Sequence, residues 1–411
     1  MDKTHEILDT QTTDCCVVGG GPAGAVLALL LARQGIAVKL LELHKDFDRD
    51  FRGDTIHPSV MQIMEELGLS DRLLALPHGK MRHIQIKTPQ GTFTIGDFSR
   101  LHTPYPYIMM LPQVKFLEFI TQEAQQYPNF QLITGANVQE LIEENGVVQG
   151  VRYRGQGGWH EIRSTLTVAA DGRHSKLRQL MGAESIETSA PMDVLWFRLP
   201  RYPNDVAGGM GRFAPGKIVV MLDRGDEWQL GYIIAKGGYQ ELRAAGLAAF
   251  KQSIVEVVPE LNVDSDGLGK RIDLLQDWSQ IAFLCVESNR VKHWYKPGIL
   301  LIGDAAHIMS PVGGVGINYA IQDAVVTANV LTKPLRNHHV EVSDLAKVQQ
   351  QRELPTRIIQ AFQSFIQQRI FTLILNENQT FQPPLLLRLP ILQDLPARLI
   401  ALGVFPVHVQ I

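Results

Sequence analysis

The 411-residue sequence predicts an α/β fold in which a Rossmann-like parallel sheet is interrupted by an antiparallel α+β insert and followed by a helical C-terminal tail. Three observations predict this fold. Short apolar runs end in glycine-rich turns at two places almost three hundred residues apart, as buried parallel strands do. Between them, residues 184–283 contain short strand-like runs separated by turns rich in Pro, Gly and Asp. After residue 335, prolines divide apolar segments into short predicted helices.

The first glycine motif follows an apolar strand predicted at residues 15–18. The run Gly19-Gly20-Gly21-Pro22-Ala23-Gly24 fits the pattern G-x-G-x-x-G. In this pattern Gly19 permits a tight turn, Gly21 lets the backbone approach a phosphate, and Gly24 lets the next helix pack closely on the strand. Because glycine loops are common, the motif needs further support from the residues around it.

That support comes from the elements that follow the motif. A helix is predicted from residue 23 to about 34, and Gly35 is its expected end. The N-terminus of such a helix offers N–H groups and a positive dipole to an anion. A second strand at residues 37–41 ends in Glu42, and an acidic residue at this distance binds ribose hydroxyls. Strand, helix, strand and acid in this order predict a dinucleotide site rather than an ordinary βαβ turn.

The second glycine motif closes the strand predicted at residues 299–302. It reads Gly303-Asp304-Ala305-Ala306-His307, and a glycine-rich segment at residues 311–318 leads into a helix at about 318–331. A carboxylate at the carboxyl end of a strand can accept bonds from cofactor hydroxyls. The glycines let main chain lie flat against a planar ring, and His307 is expected to support the backbone. Together with the first motif, this segment predicts FAD.

A third strand, predicted at residues 167–170, ends in Asp171-Gly172 before another helix start. Alone, an Asp-Gly pair indicates only a turn. The order G-x-G-x-x-G, Asp171-Gly172 and Gly303-Asp304 resembles the class A flavoprotein monooxygenases, the aromatic-hydroxylase family typified by para-hydroxybenzoate hydroxylase. The resemblance covers residues 14–332.

The resemblance implies a role for individual residues. Arg52 matches an arginine that contacts the pyrophosphate, although an exposed loop charge is the alternative. Asp171 and Gly172 match a motif associated with both FAD and the nicotinamide donor. Pro311 matches a proline at the reactive edge of the flavin, with Gly313 and Gly314 beside it as candidate catalytic positions. The full set of implied FAD-binding residues is Gly19, Gly21, Pro22, Ala23, Gly24, Glu42, Arg52, Gln113, Asp171, Gly172, Gly303, Asp304, Pro311, Gly316, Ile317 and Asn318.

The resemblance also implies a reaction. NADH or NADPH reduces FAD, oxygen adds to form a C4a-hydroperoxide, and one oxygen atom passes to an apolar, aromatic or polycyclic small molecule. The sequence leaves NADH and NADPH as alternatives, because it shows no separate nicotinamide-binding Rossmann fold. A reductase or dehydrogenase of the same fold, resembling the isoprenoid-saturating reductases, is a second interpretation. A non-catalytic flavin-binding protein is a third.

Composition and charge limit the partners, metals and cellular locations that we expect for this protein. The net charge of −3 without a long basic run argues against a nucleic-acid partner. The cysteines Cys15, Cys16 and Cys285 form no C-x-x-C pair and no metal-ligand spacing, which favours a reducing cytoplasmic setting and no metal. No stretch is apolar enough to predict a transmembrane span, and the first residues lack the apolar core of a signal peptide. We expect a monomer or a homodimer.

The predicted domains are discontinuous. The FAD domain takes residues 1–75, 105–183 and 284–335, the substrate domain 76–104 and 184–283, and the C-terminal helical region 336–411. The other predicted elements are helices at 58–67, 114–127 and 240–258, hairpin strands at 138–150 and 151–163, strands at 194–199, 217–222 and 228–235, and strands within 81–98 that join the substrate sheet.

Several aromatic and charged residues of the insert are candidates for contacting a substrate. Arg198 and Arg212 are expected to be exposed, but either one turned inward would pair with a carboxylate or phenolate. The tail at residues 371–411 is expected to pack on the body, with a pocket cap, a dimer contact and a membrane-surface helix as alternatives. The side chains that could wall an apolar pocket, or else form ordinary core, are Trp196, Phe197, Phe213, Met221, Trp228 and Tyr232.

Overall fold

The computed structural model describes residues 6–48, 53–188, 190–202, 204–205, 208–264, 269–376 and 390–411, with backbone alone at 390–393. The first strands along the chain are β1 (Ile7–Val18), β2 (Val38–Glu42), β3 (Thr55–Ile56), β4 (Gly79–Met81), β5 (His83–Thr88), β6 (Gly91–Asp97), β7 (Ile108–Met110), β8 (Phe130–Thr134), β9 (Asn137–Glu144), β10 (Val147–Gly155) and β11 (Gly158–Ala169). The later strands are β12 (Ser185–Glu187), β13 (Met192–Pro200), β14 (Gly209–Ala214), β15 (Lys217–Asp223), β16 (Glu227–Ala235), β17 (Ala282–Leu284), β18 (Asn289–Val291), β19 (Tyr295–Lys296), β20 (Ile299–Leu301) and β21 (His307–Ile308).

The helices lie mainly around the first sheet and in the C-terminal third. They are α1 (Pro22–Arg33), α2 (Pro58–Glu66), α3 (Ser70–Leu74), α4 (Gln113–Ala124), α5 (Lys176–Leu180), α6 (Tyr239–Ala245), α7 (Leu247–Val257), α8 (Gly316–Arg336), α9 (Val342–Ile366), α10 (Thr372–Leu375) and α11 (Pro390–Leu402). The predicted α/β class is confirmed. The predicted helices and strands of the glycine motifs are present, but β1 and β11 begin at Ile7 and Gly158, well before the apolar runs that predicted them.

The first sheet has the strand order β19-β20-β11-β1-β2-β8, and β10 and β9 extend it from β11. Strands β20, β11, β1, β2 and β8 run parallel. Strand β1 is longer than its apolar run, because residues 7–14 alternate in burial and pair with the first half of β11. Helix α1 packs over this sheet between α4 and α8, and its residues Ala23 to Ala32 are all buried.

The second sheet has the order β17-β13-β16-β15-β14-β5-β6. Strands β5 and β6 come from the segment at residues 81–98, which confirms the expected addition to the substrate sheet. One side of this sheet, here called the outer face, packs on α7 through residues such as Phe197 and Tyr232. The other side, the inner face, carries Trp196 and Phe213 and packs against Val312 of the second glycine-rich segment. Two smaller sheets, β3-β7-β4 and β12-β18-β21, complete the strand pairing in the described part of the chain.

The single helix predicted at residues 240–258 was wrong. The structure has two helices there, α6 and α7, because Gly246 between them adopts φ +91° and ψ 160°. Only glycine adopts that backbone conformation readily, so the helix must end and restart. Strand β14, which is short and rich in glycine, was not predicted at all.

The C-terminal region packs onto the body through its described parts. Helix α9 contacts α8, and α11 contacts β6 and α2. At the end of the chain, Glu66 accepts a hydrogen bond from the backbone N–H of Val409 at 2.7 Å and also contacts the ring of His408. Among the described residues, no helix reaches the length and apolar character that crossing a membrane requires. The dimer and membrane-surface alternatives for the tail stay predictions, as do the predicted domain boundaries.

Candidate cofactor and substrate site

The first glycine loop has the geometry that its motif predicts. Gly19 has φ +105°, and a Cβ there would lie 2.3 Å from the carbonyl oxygen of Ala170. A Cβ on Gly24 would lie 2.0 Å from the carbonyl oxygen of Gly19, so helix and strand touch there. A Cβ on Gly21, in contrast, would meet nothing within 4 Å. The loop is therefore closed on the protein side and open at Gly21, where the pattern predicts a phosphate.

The start of α1 is suited to an anion. Pro22 is the first helical residue, and Gly21 at the N-cap has no side chain to satisfy the following amides. Ala23 and Gly24 are buried, so the first turn presents backbone rather than side chains. Unpaired N–H groups and the helix dipole favour a negative group at this position.

Glu42 lies directly beside this loop. Its carboxylate accepts hydrogen bonds from the backbone N–H of Gly20 at 2.8 Å and of His44 at 3.0 Å. The residue is 8% exposed at the end of β2. This placement fits the predicted ribose contact, since a cofactor in the loop would pass the same carboxylate.

The second glycine motif meets the first in space. Gly303 has φ +58°, and a Cβ there would lie 3.2 Å from the Cβ of Ala23 and 3.3 Å from that of Ala320. The turn formed by Gly303–Ala305 thus packs between the first turns of α1 and α8, and Asp304 in it is half-buried. Motifs almost three hundred residues apart in sequence therefore pack side by side, and the surface that they border is here called the cleft.

Arg178 connects the third motif to the second. Its guanidinium donates to the carbonyl oxygens of Asp304 at 3.2 Å and Ala305 at 3.3 Å, and it also contacts the carbonyl of Arg173. Sequence reasoning did not assign Arg178 to the site, although it lies seven residues after Asp171 in the same run. An arginine beside an Asp-Gly turn was the only signal that could have drawn attention to it.

The carboxylate of Asp171 is turned toward helix α5. It accepts hydrogen bonds from the hydroxyl of Ser175 at 2.5 Å and from the backbone N–H of Leu177 at 3.1 Å. Burial raises the pKa of Asp171 above its ordinary value, against the lowering effect of these bonds. Gly172 beside it has φ +83°. The backbone of this turn lies against Gly19, so Asp171 and Gly172 are part of the cleft wall, and a direct contact of either with a cofactor stays a prediction.

The segment from Pro311 to Asn318 covers another side of the cleft. Gly313 and Gly314 have φ +78° and +63°, conformations that favour glycine. The hydroxyl of Thr55 donates to the carbonyl of Gly314 at 3.0 Å, and the side-chain amide of Asn318 donates to the same carbonyl at 3.2 Å. These bonds fix the segment before α8, which begins at Gly316.

The segment after Arg52 contacts the same loop. Arg52 itself lies outside the described residues, but a Cβ on Gly53 would lie 3.1 Å from Ile317, so the two segments touch. Asp54 forms an ion pair with Arg224 at 3.2 Å, and its carboxylate accepts the backbone N–H of Gln113 at 3.3 Å. Arg224 comes from the turn between β15 and β16, so this pair joins the second sheet to the start of β3 and places a cation beside the acid that follows Arg52.

The inner face of the second sheet adjoins the second glycine-rich segment at Val312 and is also packed against residues 370–375. Trp196 lies over Gly231, where a Cβ would come within 2.8 Å of the indole ring, so the glycine makes room for the tryptophan. Phe213 and Val220 share this face and pack in the same cluster as Val312, next to Gly313. The other four candidates lie on the outer face in the core that includes α7, which agrees with the alternative that they form ordinary core: Phe197, Met221, Trp228 and Tyr232.

The two arginines that were candidates for a substrate contact differ in burial. Arg198 lies on the inner-face side of β13, is 39% exposed and pairs with Glu227 at 3.5 Å. Arg212 is buried, which contradicts its expected exposure, and donates to Glu260 at 2.9 Å on the outer face. It therefore lies away from the cleft. In the described ranges, no group of three His, Cys, Asp or Glu side chains is arranged to hold a metal ion.

Comparison with known proteins agrees with this geometry. A family model described as an FAD binding domain matches residues 12–354. The chain belongs to the class A flavoprotein monooxygenase family. The resemblance predicted from the motifs is therefore confirmed, and so is FAD as the cofactor. The open position at Gly21, the uncapped start of α1 and the neighbouring carboxylates fit this cofactor.

Relatives of known name extend across most of the chain. The 6-methylpretetramide 4-monooxygenase of Streptomyces rimosus is 35% identical over 352 residues, which cover 85% of this chain and 82% of that protein. Among solved structures, PqsL of P. aeruginosa in complex with 2-aminobenzoylacetate superposes with a TM-score of 0.73 at 19% identity, covering 90% of this chain and 98% of that one. The OxyS anhydrotetracycline hydroxylase from Streptomyces rimosus superposes with a TM-score of 0.72 at 20% identity, covering 95% and 76%.

Proposed function

We propose that this flavin monooxygenase uses NADH or NADPH and O2 to hydroxylate an aromatic small molecule, with polycyclic polyketides as the favoured class. The observation that carries the proposal is the meeting of three glycine-rich segments in one cleft beside an apolar sheet face. The named relative at 35% identity, which acts on 6-methylpretetramide, supports the polycyclic class. Cytoplasmic location and a monomeric or homodimeric state stay predictions.

The chain's own residues would divide the work of holding FAD. The open backbone at Gly21 and the first amides of α1 would receive the pyrophosphate, and Glu42 would accept the ribose hydroxyls. Asp304 would accept hydroxyls of the ribityl chain, and the backbone from Pro311 to Asn318 would lie along the ring. When bound, FAD supplies the redox chemistry that links the nicotinamide, oxygen and substrate.

The overall reaction balances as a monooxygenation. NAD(P)H, a proton, O2 and the substrate R–H give NAD(P)+, water and R–OH. The nicotinamide supplies the two electrons that reduce one oxygen atom to water, and the other oxygen atom enters the C–H bond of the substrate. The protein's part is to orient the substrate and to keep water away from the reacting atoms.

The inner face of the second sheet is suited to orienting an apolar substrate and excluding water. Trp196, Phe213 and Val220 present apolar and aromatic surface next to Val312, which adjoins Gly313 and Gly314. A flat apolar substrate between this face and the loop would stack on rings and exclude water. Pro311, Gly313 and Gly314 would contribute backbone at the reacting edge and no proton-transfer group, so substrate choice would depend on the sheet.

The proposal is tested with the purified protein loaded with FAD. We expect NADH or NADPH to bleach the flavin absorbance without oxygen, and fused-ring phenols to accelerate the bleaching. With isotopically labelled O2, mass spectrometry of the product should show one labelled oxygen atom. Bleaching without oxygen incorporation for any phenol tested would favour a reductase. A flavin that neither nicotinamide bleaches would favour a binding protein and contradict the proposal.

A further inference from the structure

A buried ionic network lies directly behind the second glycine motif. The carboxylate of Asp323, on α8, is fully buried and accepts three hydrogen bonds. One oxygen accepts the backbone N–H of Gly303 at 2.9 Å and Nε2–H of His307 at 2.6 Å. The other accepts Nε–H of Arg352 at 2.7 Å. The network therefore joins α8, α9 and both ends of the segment that contains Asp304.

The surroundings of the Asp323 carboxylate favour its charged form. Burial alone would raise the pKa of Asp323, but His307 and the guanidinium of Arg352 beside it hold that pKa below its ordinary value. The guanidinium of Arg352 also lies over the ring of Tyr319 at 5.3 Å, and His307 contacts the ring of Trp294 at 5.1 Å. A buried carboxylate with three donors is an ionised and fixed acceptor.

The bond from Gly303 to Asp323 has a specific geometric consequence. Gly303 adopts a left-handed φ of +58°, and it is followed immediately by Asp304 in a short 3-10 turn. Its N–H is the donor that anchors this turn from behind, while Arg178 holds the carbonyl of Asp304 from another side. The direction of the Asp304 side chain therefore depends on where the Asp323 carboxylate places the preceding amide.

We propose that Asp323, held between His307 and Arg352, is a positioning residue that sets the Gly303–Asp304 turn for the ribityl chain of FAD. It acts through the backbone of Gly303 and does not touch the cofactor. This inference rests on the proposed role of Asp304 but is independent of what the enzyme oxygenates. Its test is therefore FAD affinity and needs no turnover.

The decisive variant is Asp323→Asn. An amide has one oxygen, so it cannot accept from Arg352 on one side and from Gly303 and His307 on the other. We expect Kd for FAD, measured by quenching of flavin fluorescence, to rise about tenfold or more, as for loss of a charge-assisted hydrogen bond. The matched control is Leu331→Ala, a fully buried truncation on the same helix, two turns from Asp323 and outside the network. It should lower the midpoint of urea unfolding while leaving Kd within about threefold of wild type.

A second pair of variants decides the question even if Asp323→Asn does not fold. The amide nitrogen of His307→Gln can take the place of Nε2 as donor, so we expect Kd for FAD to stay near the wild-type value. His307→Leu removes the donor, and we expect Kd to rise by several-fold or more. If folded His307→Gln and His307→Leu bind FAD equally well, the positioning role is rejected. It is also rejected if Asp323→Asn binds FAD as tightly as Leu331→Ala does. Wild-type protein that binds FAD but oxygenates nothing would contradict the proposed function alone.

Discussion

Acidification is expected to destabilise the protein through His57, which precedes α2. Its side chain is fully buried, and because a carbonyl can only accept, its Nδ1–H must donate to the carbonyl of Ile400 at 2.7 Å. Nε2 is also buried, and it has no hydrogen-bond partner among the described residues. A second proton on the ring would place an uncompensated charge there. Burial accordingly lowers the pKa of His57 from 6.5 to about 4.

The magnitude follows from linkage between protonation and folding. Because the pKa of His57 is lower in the folded state, the unfolded chain binds the proton first, and stability is lost as pH falls. The contribution is fully present above pH 6.5 and is lost by about pH 4. The gap between these values, at about 1.4 kcal/mol per pH unit, gives a loss of about 3 kcal/mol.

Urea unfolding of wild type and His57→Asn at about pH 7 and about pH 4.5 measures this loss. The asparagine amide can still donate to the Ile400 carbonyl but does not titrate, so the variant should lose about 2–3 kcal/mol less than wild type. His160→Asn is the control with opposite sign, because the hydrogen bond that His160 donates to Asp9 raises the pKa of His160, and its stabilisation disappears as pH rises. An equal loss in wild type and His57→Asn would refute the reasoning.

Three further predictions concern single side chains. Glu42→Ala should weaken FAD binding by about 1–3 kcal/mol, because its charged hydrogen bonds are lost; an unchanged Kd, equal to that of the exposed control Glu143→Ala, would contradict it. Gly246→Ala should lower the free energy of unfolding by about 1–3 kcal/mol, since φ there is +91°, and urea unfolding measures this. Trp196→Ala should raise KM for an aromatic substrate without changing Kd for FAD; an unchanged KM would remove Trp196 from the pocket.

The sequence was most informative where one local pattern determines a structure. The turn at Gly19, the close contact at Gly24 and the left-handed Gly303 are each required by a strand-to-helix connection of a few residues. Such connections have the same residue spacing wherever they occur, so they can be recognised without knowledge of the rest of the chain. The elements flanking them are correspondingly present, although β1 and β11 extend well beyond the apolar runs that predicted them.

The sequence was uninformative where a side chain finds its partner across the fold. Arg224 lies 170 residues after Asp54, and nothing in either neighbourhood predicts that they pair. Arg352 belongs to a region predicted only as a helical tail, yet its guanidinium reaches the buried Asp323. Trp196 and Phe197 are neighbours on β13 and lie on opposite faces of the sheet. Alternation alone cannot say which face is which, because that depends on where α7 packs.

The order of strands in the first sheet has a consequence for how the protein is made. Strand β1 ends at Val18, but its neighbour β11 begins only at residue 158, and β20 follows at residue 299, after all seven strands of the second sheet. Val407, Val409 and Ile411 then pack on the same core. A growing chain on the ribosome therefore carries β1 and α1 without two of their neighbours, β11 and α8, until those residues have been translated. We expect FAD to be captured only after the segment up to Asn318 has been translated, and folding to depend on keeping the early strands from aggregating.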